Sequence, residues 1–303
     1  MNFKGLDLNL LVALDALLTE CSVTTAARKV HLSQSAMSSA LGRLRRHLRD
    51  PLLVTVGRRM ERTAYAVELA GAVRSILLQI DSSFKGPAAF EPARAKRRFT
   101  IAASDYAVNI LLLDVQRSCA ERAPDVVLEI LPVTHDTVGA LGRGELDLLI
   151  IPDRYRQPNC PAEPLFEDRL VCVAAKDCWR KGGSISLQAF KTADHVVYQP
   201  DPGHVIAFDA WLHEHYRFEQ TVKLYLSNYS LLPQAIVGTH RIATLPARLA
   251  RQYASTLPIR ILKPAFSMPP MVEILQWHPV TSDDAGLNWL RALLHEVSSA
   301  VPL

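Results

Sequence analysis

The sequence lacks the features that would place the protein in a membrane or outside the cell. Its densest apolar stretch, residues 110–113, is far shorter than the roughly 18 residues that a membrane span needs. The N-terminus shows no basic segment followed by an apolar core and a small-residue cleavage site, so we expect no signal peptide. The five cysteines are scattered and odd in number, which favours reduced thiols in the cytoplasm over a disulfide scaffold.

The net charge of the chain is small, but the charged residues are unevenly distributed along it. The 303 residues carry a net charge of +4 and are 49% hydrophobic, which excludes a disordered chain and favours two or three globular domains. Residues 1–98 contain 16 Lys or Arg against 8 Asp or Glu, whereas residues 99–303 contain 18 against 22. A basic N-terminal region is typical of a nucleic-acid-binding module joined to another domain, with chance clustering as the alternative.

The first 62 residues have the pattern of a helix-turn-helix. Leucines recur at helical spacing over residues 6–20, and Ser22 is placed to cap a second helix over residues 23–30. After a two-residue turn, Ser33 is placed to cap a third helix that extends to about residue 47. The third helix has one apolar stripe, formed by Met37, Ala40, Leu41, Leu44 and Leu48.

The opposite face of the third helix has the chemistry of a helix that lies in the major groove of DNA. Its N-terminal half is short and hydrogen-bonding, and its C-terminal half is cationic, so the first can contact base edges and the second phosphates or guanine. An ordinary solvated helix face is the alternative. The residues that we expect at the DNA are Ser33, Gln34, Ser35, Ser38, Ser39, Arg43, Arg45 and Arg46.

Two β-prone stretches and a long helix follow. The stretches flank Gly57-Arg58-Arg59 and predict the hairpin wing of a winged helix-turn-helix, in which Arg58 and Arg59 enter an adjacent minor groove or are simply surface charges. Residues 63–86 predict one helix with a coiled-coil spacing of apolar residues, which indicates a dimer. Packing of this helix against the chain's own C-terminal region is the alternative. The expected dimer residues are Ala70, Val73, Leu77, Ile80 and Phe84.

The N-terminal region resembles the DNA-binding head of the LysR-type transcriptional regulators. The segment Leu32-Ser33-Gln34-Ser35-Ala36-Met37-Ser38, preceded by Ala26-Ala27, is similar to the family's A-A … L-S-Q-P-A-[VM]-S. Ser35 departs from the family's proline, which we expect to cost little because proline there mainly preorganises the first helical turn. Residues 3–17 are similar to the opening of the NodD-type nodulation regulators.

The remainder of the chain predicts an α/β fold after a charged linker at residues 87–98. Short apolar strands alternate with helices up to a last helix at 284–298. The resemblance extends over this region and implies a periplasmic-binding-protein-like effector domain, residues 99–303. Its two Rossmann-like subdomains would comprise residues 99–161 with 271–303, and residues 162–270. The predicted strands are 99–103, 126–131, 146–151, 169–174, 195–198, 222–226, 241–244, 259–262 and 272–277.

No motif of an enzyme stands out. The glycines at 139, 142 and 144 lack dinucleotide-fingerprint spacing and read as a helix end and turn. His213-Glu214-His215 puts its histidines on different helix faces, which does not suit zinc. A redox switch through two cysteines is a minor alternative. We therefore expect a protein that is not an enzyme and has no resident cofactor.

A ligand pocket is expected between the subdomains, at the carboxyl ends of strands. Ser104 can cap the helix after the first strand, and Arg169 can pair with an acidic or phenolate oxygen. Residues 195–204 also resemble salicylate- and nitroaromatic-responsive regulators, and this resemblance implies that Ser104, Arg169 and His204 contact the inducer. Arg169 stands where a histidine is more usual. Further candidates are Gly203, Asn228, Tyr229, Ser230 and Gln276, each with a structural role as its alternative.

These patterns predict an α+β multidomain transcriptional regulator: a winged helix-turn-helix, a linker helix and an effector domain. We expect an activator that binds promoter DNA as a dimer or, by the family's example, a tetramer, and that acts with RNA polymerase. The effector is a small aromatic molecule, flavonoid-like by the NodD resemblance or a benzoate-, salicylate- or nitroaromatic-type acid by the other. The competing hypothesis is a solute-binding protein or enzyme with an incidental basic head.

Overall fold

The computed structural model describes residues 7–57, 59–84, 90–179, 183–200 and 207–300. They divide into two compact units, which are described separately below. Among these residues, no helix combines the length and apolarity that a bilayer span requires.

The N-terminal unit is the predicted winged helix-turn-helix. Its three predicted helices, its hairpin and its long helix are all confirmed, with ends that differ by one or two residues from the expected ones. The wing is an antiparallel pair in which Leu53 lies opposite Arg62 and Val56 opposite Arg59. The elements are α1 (Leu8–Glu20), α2 (Val23–Lys29), α3 (Gln34–Leu48), β1 (Leu53–Val56), β2 (Arg59–Arg62) and α4 (Ala64–Phe84).

Side-chain caps fix where the first three helices begin. The side chains of Asp7, Ser22 and Ser33 accept hydrogen bonds from the backbone N–H groups of Asn9, Thr25 and Ala36 at 2.9, 3.3 and 3.1 Å. Each bond satisfies an N–H that the helix itself leaves without a partner. The caps at Ser22 and Ser33 thereby set the spacing of α2 and α3.

The first part of the apolar seam of α4 packs inside the N-terminal unit, which corrects the dimer prediction for Ala70 and Val73. Ala70 is 9% exposed and Val73 2% exposed, and both belong to the core that α1, α2 and α3 share, with Leu77 packed at its edge. Ile80 is half-buried, and the side chain of Phe84 lies outside the described residues. Arg74 Nη1 also bonds Asp15 Oδ2 of α1 at 2.8 Å. Sequence spacing revealed the buried stripe but not that α1 of the same chain covers it.

The C-terminal unit is a twisted sheet flanked by helices, as predicted. All nine predicted strands are confirmed, and a further two-residue strand, β7, was not foreseen. The strands are β3 (Arg98–Ala103), β4 (Val127–Leu131), β5 (Leu148–Pro152), β6 (Ala162–Ala175), β7 (Ser184–Ile185), β8 (Asp194–Tyr198), β9 (Thr221–Leu226), β10 (Ile242–Pro246), β11 (Ile259–Pro264) and β12 (Pro270–Gln276).

Helices cover the sheet between these strands. The helix after β3 passes without a break through a π-helical turn at Val108–Leu112. The predicted helix end near Gly142 is confirmed, and Gly144 follows with a φ of +66°, which favours glycine. The helices are α5 (Asp105–Ala107), α6 (Leu113–Arg122), α7 (His135–Gly142), α8 (Leu187–Thr192), α9 (Ala207–Tyr216), α10 (Leu232–Ile236), α11 (Ala247–Ala254) and α12 (Ala285–Ala300).

The long strand β6 joins the two halves of this unit. Its first part, up to Arg169, pairs with β12, and its last part, from Leu170, pairs with β10, while its end also pairs with β11. We call the half containing β3, β4 and β5 lobe I, and the half containing β8, β9 and β10 lobe II. The sequence predicted only the last part of β6, because Pro164 and the charged residues around it interrupt the apolar pattern.

Candidate nucleic-acid interface and ligand cavity

The polar face of α3 is exposed, as its sequence predicts. Gln34, Ser35, Ser38, Ser39 and Arg43 all face solvent, while Met37 and Leu44 on the opposite side are fully buried. The capping residue Ser33 is also exposed, and its hydroxyl lies 3.0 Å from that of Ser35. The helix therefore presents hydroxyl and amide groups first and cations after them.

Arg45 departs from this arrangement and corrects the prediction. Its Nε donates to the carbonyl of Pro51 at 2.7 Å and its Nη2 to the carbonyl of Leu53 at 2.8 Å. The guanidinium therefore joins α3 to the base of the wing, and the side chain is half-buried. Arg46 is exposed, with a weaker bond from Nε to the carbonyl of Gly42 at 3.3 Å.

The wing presents two exposed arginines among the described residues, Arg59 and Arg62, at the two ends of β2. Arg59 is exposed at the start of β2, where it lies opposite Val56. Arg58 lies outside the described residues. The base of the wing is tied to the unit by Asp50, whose Oδ1 accepts from the backbone N–H of Leu52 at 2.6 Å and from the hydroxyl of Thr63 at 2.7 Å.

A second apolar face of α4 remains exposed. Tyr65 and Ile76 are both 42% exposed and lie on the same side of the helix, about three turns apart, beside the buried seam. The half-buried Leu69 and the exposed Ala72 lie between them on this side, so the face is apolar along its length.

A cavity of about 300 Å³ lies between the lobes of the C-terminal unit. It opens where β3, β5 and β8 end, the position at which open α/β sheets bind ligands. Its walls are mostly apolar and aromatic. They include Val133, Val138, Ile150, Leu170, Val196, Met271, Tyr155, Tyr198, Phe208 and Tyr229, with Ser104, Arg154, Gln157, Gln220, Thr244 and Glu273 among the polar groups.

Ser104 and Tyr229, two residues singled out from the sequence, lie in the cavity wall. The Ser104 hydroxyl caps α5 by accepting from the N–H of Ala107 at 3.2 Å. The Asp105 carboxylate of lobe I accepts from the backbone N–H groups of Tyr229 and Ser230 of lobe II, at 3.0 and 2.8 Å. This carboxylate thereby bridges the two lobes at the cavity.

Several other effector candidates are placed differently from the expectation. Arg169 lies within β6, exposed and away from the cavity, and Arg154 is the arginine in the cavity wall. Asn228 is exposed, and Ser230 acts through its backbone bond to Asp105, so neither lines the cavity. Gly203 and His204 lie outside the described residues.

Gln276 has a structural role that the sequence did not reveal. It is fully buried, and its side chain exchanges hydrogen bonds with the backbone N–H and carbonyl of Gln157 at 2.8 and 3.0 Å and donates to the carbonyl of Cys160 at 3.2 Å. It thereby holds the loop on which Gln157 lines the cavity. Gln276 therefore does not line the cavity itself, but it supports a residue that does.

The cavity contains a buried carboxyl group that sequence analysis missed. Glu273 of β12 is 1% exposed, and neither of its oxygens has a hydrogen-bond partner among the described residues. Burial raises its pKa to about 8, while Arg154 opposes this rise and the nearby Asp168 carboxylate adds to it. An acidic residue within an apolar strand was the available clue, since unpartnered buried acids occur mainly at functional sites.

A histidine–glutamine pair lies at the lobe II side of the cavity. His195 is fully buried, and burial lowers its pKa, so the ring is neutral. Its Nε2 donates to the carbonyl of Phe190 at 3.0 Å, which leaves Nδ1 to accept from Gln220 Nε2 at 2.8 Å. This tautomer fixes the orientation of the Gln220 amide. Gln220 Oε1 is then buried with no partner among the described residues.

Two tyrosines form an aromatic wall beside Glu273. The rings of Tyr198 and Tyr229 stack with their centroids 3.7 Å apart. Burial raises the pKa of both phenols, so both remain neutral at physiological pH. Flat, neutral rings of this kind offer a stacking surface to an aromatic ligand.

Family comparisons match both units of the chain. The model described as the bacterial regulatory helix-turn-helix protein of the lysR family matches residues 8–67. The model described as the LysR substrate binding domain matches residues 92–299. Together they cover most of the sequence.

Individual relatives are similar to the chain over nearly its full length. The chain is 37% identical to Nodulation protein D 2 of Rhizobium tropici over 299 residues, which span 99% of this chain and 95% of the relative. It is similar to the crystal structure of a probable transcriptional regulator from Pseudomonas aeruginosa, with 30% identity, a TM-score of 0.66 and coverage of 97% and 98% of the two chains. It also shares its fold with CbnR, solved in complex with its target DNA, at 16% identity, a TM-score of 0.52 and coverage of 97% and 100%.

Proposed function

The chain belongs to the LysR family of bacterial transcriptional regulators, and from this premise we propose that a small aromatic molecule in the cavity of the C-terminal unit switches its activity at a promoter. The chain is a DNA-binding transcriptional regulator. The observation on which the proposal rests most is that its exposed α3 face and a largely apolar cavity occur in the same polypeptide.

At the DNA, α3 would lie in the major groove. Gln34, Ser35, Ser38 and Ser39 would contact base edges, and Arg43 and Arg46 phosphates or guanine. Arg59 of the wing would reach the neighbouring minor groove. The caps at Ser22 and Ser33 support this role because they fix where α2 and α3 begin.

The effector class follows from the cavity. Its aromatic wall supports a flat ring compound, flavonoid-like as the resemblance to nodulation regulators implies. A benzoate-, salicylate- or nitroaromatic-type acid is the second candidate, and Arg154 at the cavity is the observation that favours it. No step requires a resident cofactor, because the ligand acts only by favouring one arrangement of the protein over another.

The regulator would act as an activator in the cytoplasm, as a dimer or tetramer that contacts RNA polymerase. For self-association we propose the exposed face of α4 with Tyr65 and Ile76, in place of the buried seam predicted from the sequence. Leu69 and Ala72 continue this face at coiled-coil spacing.

DNA binding and effector response can be tested together with the full-length protein. Fluorescence anisotropy on DNA from upstream of its own or a neighbouring gene should show binding at moderate salt that random DNA of equal length does not match. A reporter driven by the same DNA should then respond to a hydroxylated flavone. If the protein binds this DNA no more tightly than random DNA, the proposed function is wrong.

A further inference from the structure

The unmet hydrogen-bonding groups of the cavity determine what kind of ligand it can hold. Of the buried side-chain atoms that lack a partner among the described residues, those in the cavity wall are Gln220 Oε1 and the two oxygens of Glu273. All three are oxygens, and Gln220 Oε1 can only accept. Buried polar atoms without partners are costly, so a ligand that satisfies them gains affinity.

The two residues approach the cavity from different elements. Gln220 immediately precedes β9 of lobe II, and its amide is oriented by His195. Glu273 lies on β12, opposite Pro152 of β5 and Phe166 of β6. A ligand that reaches both must therefore have polar groups at two places on its frame. The largely apolar wall between them suits the body of that frame.

Charge selects against an anion at this end of the cavity. Glu273 stands beside the Asp168 carboxylate, and Tyr198 and Tyr229 present neutral phenols. Burial raises the pKa of Glu273 to about 8, so this carboxyl is largely protonated at neutral pH, and the penalty on a ligand carboxylate comes from Asp168 and from desolvation. In the described part of the wall, the basic side chains are Arg154, which is exposed to solvent, and His135.

We propose that Gln220 and Glu273 are the residues that determine effector specificity, by forming hydrogen bonds with two hydroxyl groups of a neutral, flat aromatic ligand, in a site where the neighbouring Asp168 disfavours aromatic carboxylates. This inference rests on the proposed function and separates the two effector classes that it leaves open.

The test uses a matched ligand series and isothermal titration calorimetry on the full-length protein. The probes are 4′,5,7-trihydroxyflavone, 4′,5,7-trimethoxyflavone, unsubstituted flavone and salicylate. Methylation retains each oxygen but removes the hydrogen that it can donate. We expect the trihydroxy compound to bind at least about tenfold more tightly than the trimethoxy compound, since one such hydrogen bond is worth about a factor of ten. Salicylate should bind more weakly than the trihydroxy compound.

Three variants assign the discrimination to residues. Gln220→Met and Glu273→Met should each bring the affinity for the trihydroxy compound close to that for unsubstituted flavone. Gln188→Met is the matched control, because Gln188 is exposed on α8 and does not line the cavity. This control should leave the ratio between the probes unchanged.

A structural role would give a different pattern of stability. Glu273→Met removes a buried carboxyl that lacks partners, so its melting temperature should be unchanged or higher while its affinity falls. A merely structural Glu273 would lower both together. If Glu273→Met does not fold, Gln220→Met and the ligand series on the unmodified protein still decide the matter.

Four results would overturn the inference: no binding of the trihydroxy compound, equal affinity for the hydroxylated and methylated flavones, tighter binding of salicylate, or variants that discriminate as the unmodified protein does. Anisotropy on promoter DNA with the same preparations separates this failure from that of the proposed function. If the protein still binds promoter DNA but does not discriminate between the ligands, the roles proposed for Gln220 and Glu273 are wrong and the proposed DNA-binding function stands.

Discussion

The two units of the molecule differ in how their functional groups are held. In the N-terminal unit, the polar side chains of α3 lie on an exposed face, and the core beneath them is apolar. In the C-terminal unit, the polar groups of interest are buried, and Gln220 and Glu273 leave oxygens without a partner among the described residues. The first surface is ready for a large, charged partner in water. The second is a site whose hydrogen bonding is incomplete until a small molecule enters.

The largest expected effect contrasts two neighbouring positions on α4. Val73→Lys should destabilise the N-terminal unit by on the order of 3–5 kcal/mol, because it introduces an unpaired charge into the core. Ile76→Lys, three residues further on and 42% exposed, should change the free energy of unfolding by less than about 0.5 kcal/mol. Urea denaturation followed by circular dichroism measures both.

The same pair tests the exposed face of α4 as the association surface. Light scattering should show that Ile76→Lys lowers the oligomeric state while the protein stays folded. If Ile76→Lys leaves the oligomeric state unchanged, the association surface lies in another part of the molecule.

The next prediction concerns α3. Arg43→Ala or Gln34→Ala should weaken binding to the target DNA by about 1–3 kcal/mol if the residue reads bases. Affinity for random DNA would change little in that case, whereas an equal loss on every sequence would assign the residue to phosphate contact. Ligand affinity should not change, since the cavity belongs to the other unit.

Arg45→Ala serves as the matched control among the arginines of α3. Its guanidinium bonds the carbonyls of Pro51 and Leu53, so its loss should lower the melting temperature. Arg43→Ala should leave the melting temperature unchanged. If both arginine variants melt like the unmodified protein, the structural role of Arg45 is wrong.

A third prediction uses the pH dependence of the buried carboxyl. The pKa of Glu273 is raised from 4.5 to about 8 in the folded protein, so the folded state keeps a proton that the unfolded chain has released. Stability should therefore fall as pH rises from about 4.5 to about 8, and then level off. Asp168, Arg154 and the phenols of Tyr106, Tyr198 and Tyr229 are the charged and titratable groups that face it.

Glu273→Gln removes this titration and isolates it from other groups. The melting temperature of the variant should approach that of the unmodified protein at pH 4.5 and exceed it at pH 8, by roughly 2–4 °C for each kcal/mol removed. Differential scanning calorimetry across this range measures the difference. A constant difference at all pH values would show that Glu273 titrates normally.

The smallest expected effect is the loss of one helix N-cap in each of the two units. Ser22→Ala and Ser104→Ala each remove a side-chain cap and should each cost about 1 kcal/mol of stability. Ser22→Ala should also weaken DNA binding, because α2 supports α3. Ser104→Ala should instead change ligand affinity, because Ser104 lines the cavity. Identical effects of the two variants on both activities would contradict this division.

The sequence predicted much more of the DNA-binding face than of the cavity, and the reason is physical. The face of α3 comes from consecutive residues with a 3.6-residue period, so its composition is visible in one short window. The cavity brings together residues as distant as Ser104 and Glu273, and Ser104 was predicted only because it follows a strand and caps a helix. Gln220 has no local pattern that predicts the burial of its side-chain oxygen, and Glu273 is marked only by its position within an apolar strand.

Two errors have the same origin. The seam of α4 was assigned to a dimer because periodicity shows which face is apolar but not which element covers it. Arg169 was assigned to the cavity because it was expected to begin a strand, whereas it lies in the middle of the longer β6. Both depend on tertiary packing, which a linear pattern does not contain.

The continuous strand β6 couples the two lobes of the C-terminal unit mechanically. One unbroken backbone runs from lobe I into lobe II, with hydrogen-bonded neighbours along its length, so the lobes can change their angle only by torsion shared between β6 and its partners. Leu170 of β6 and Glu273 of β12 line the cavity near the point where β6 passes from one lobe to the other. A molecule bound there contacts the strands that connect the lobes, so differential binding at this point would favour one angle between the lobes over another.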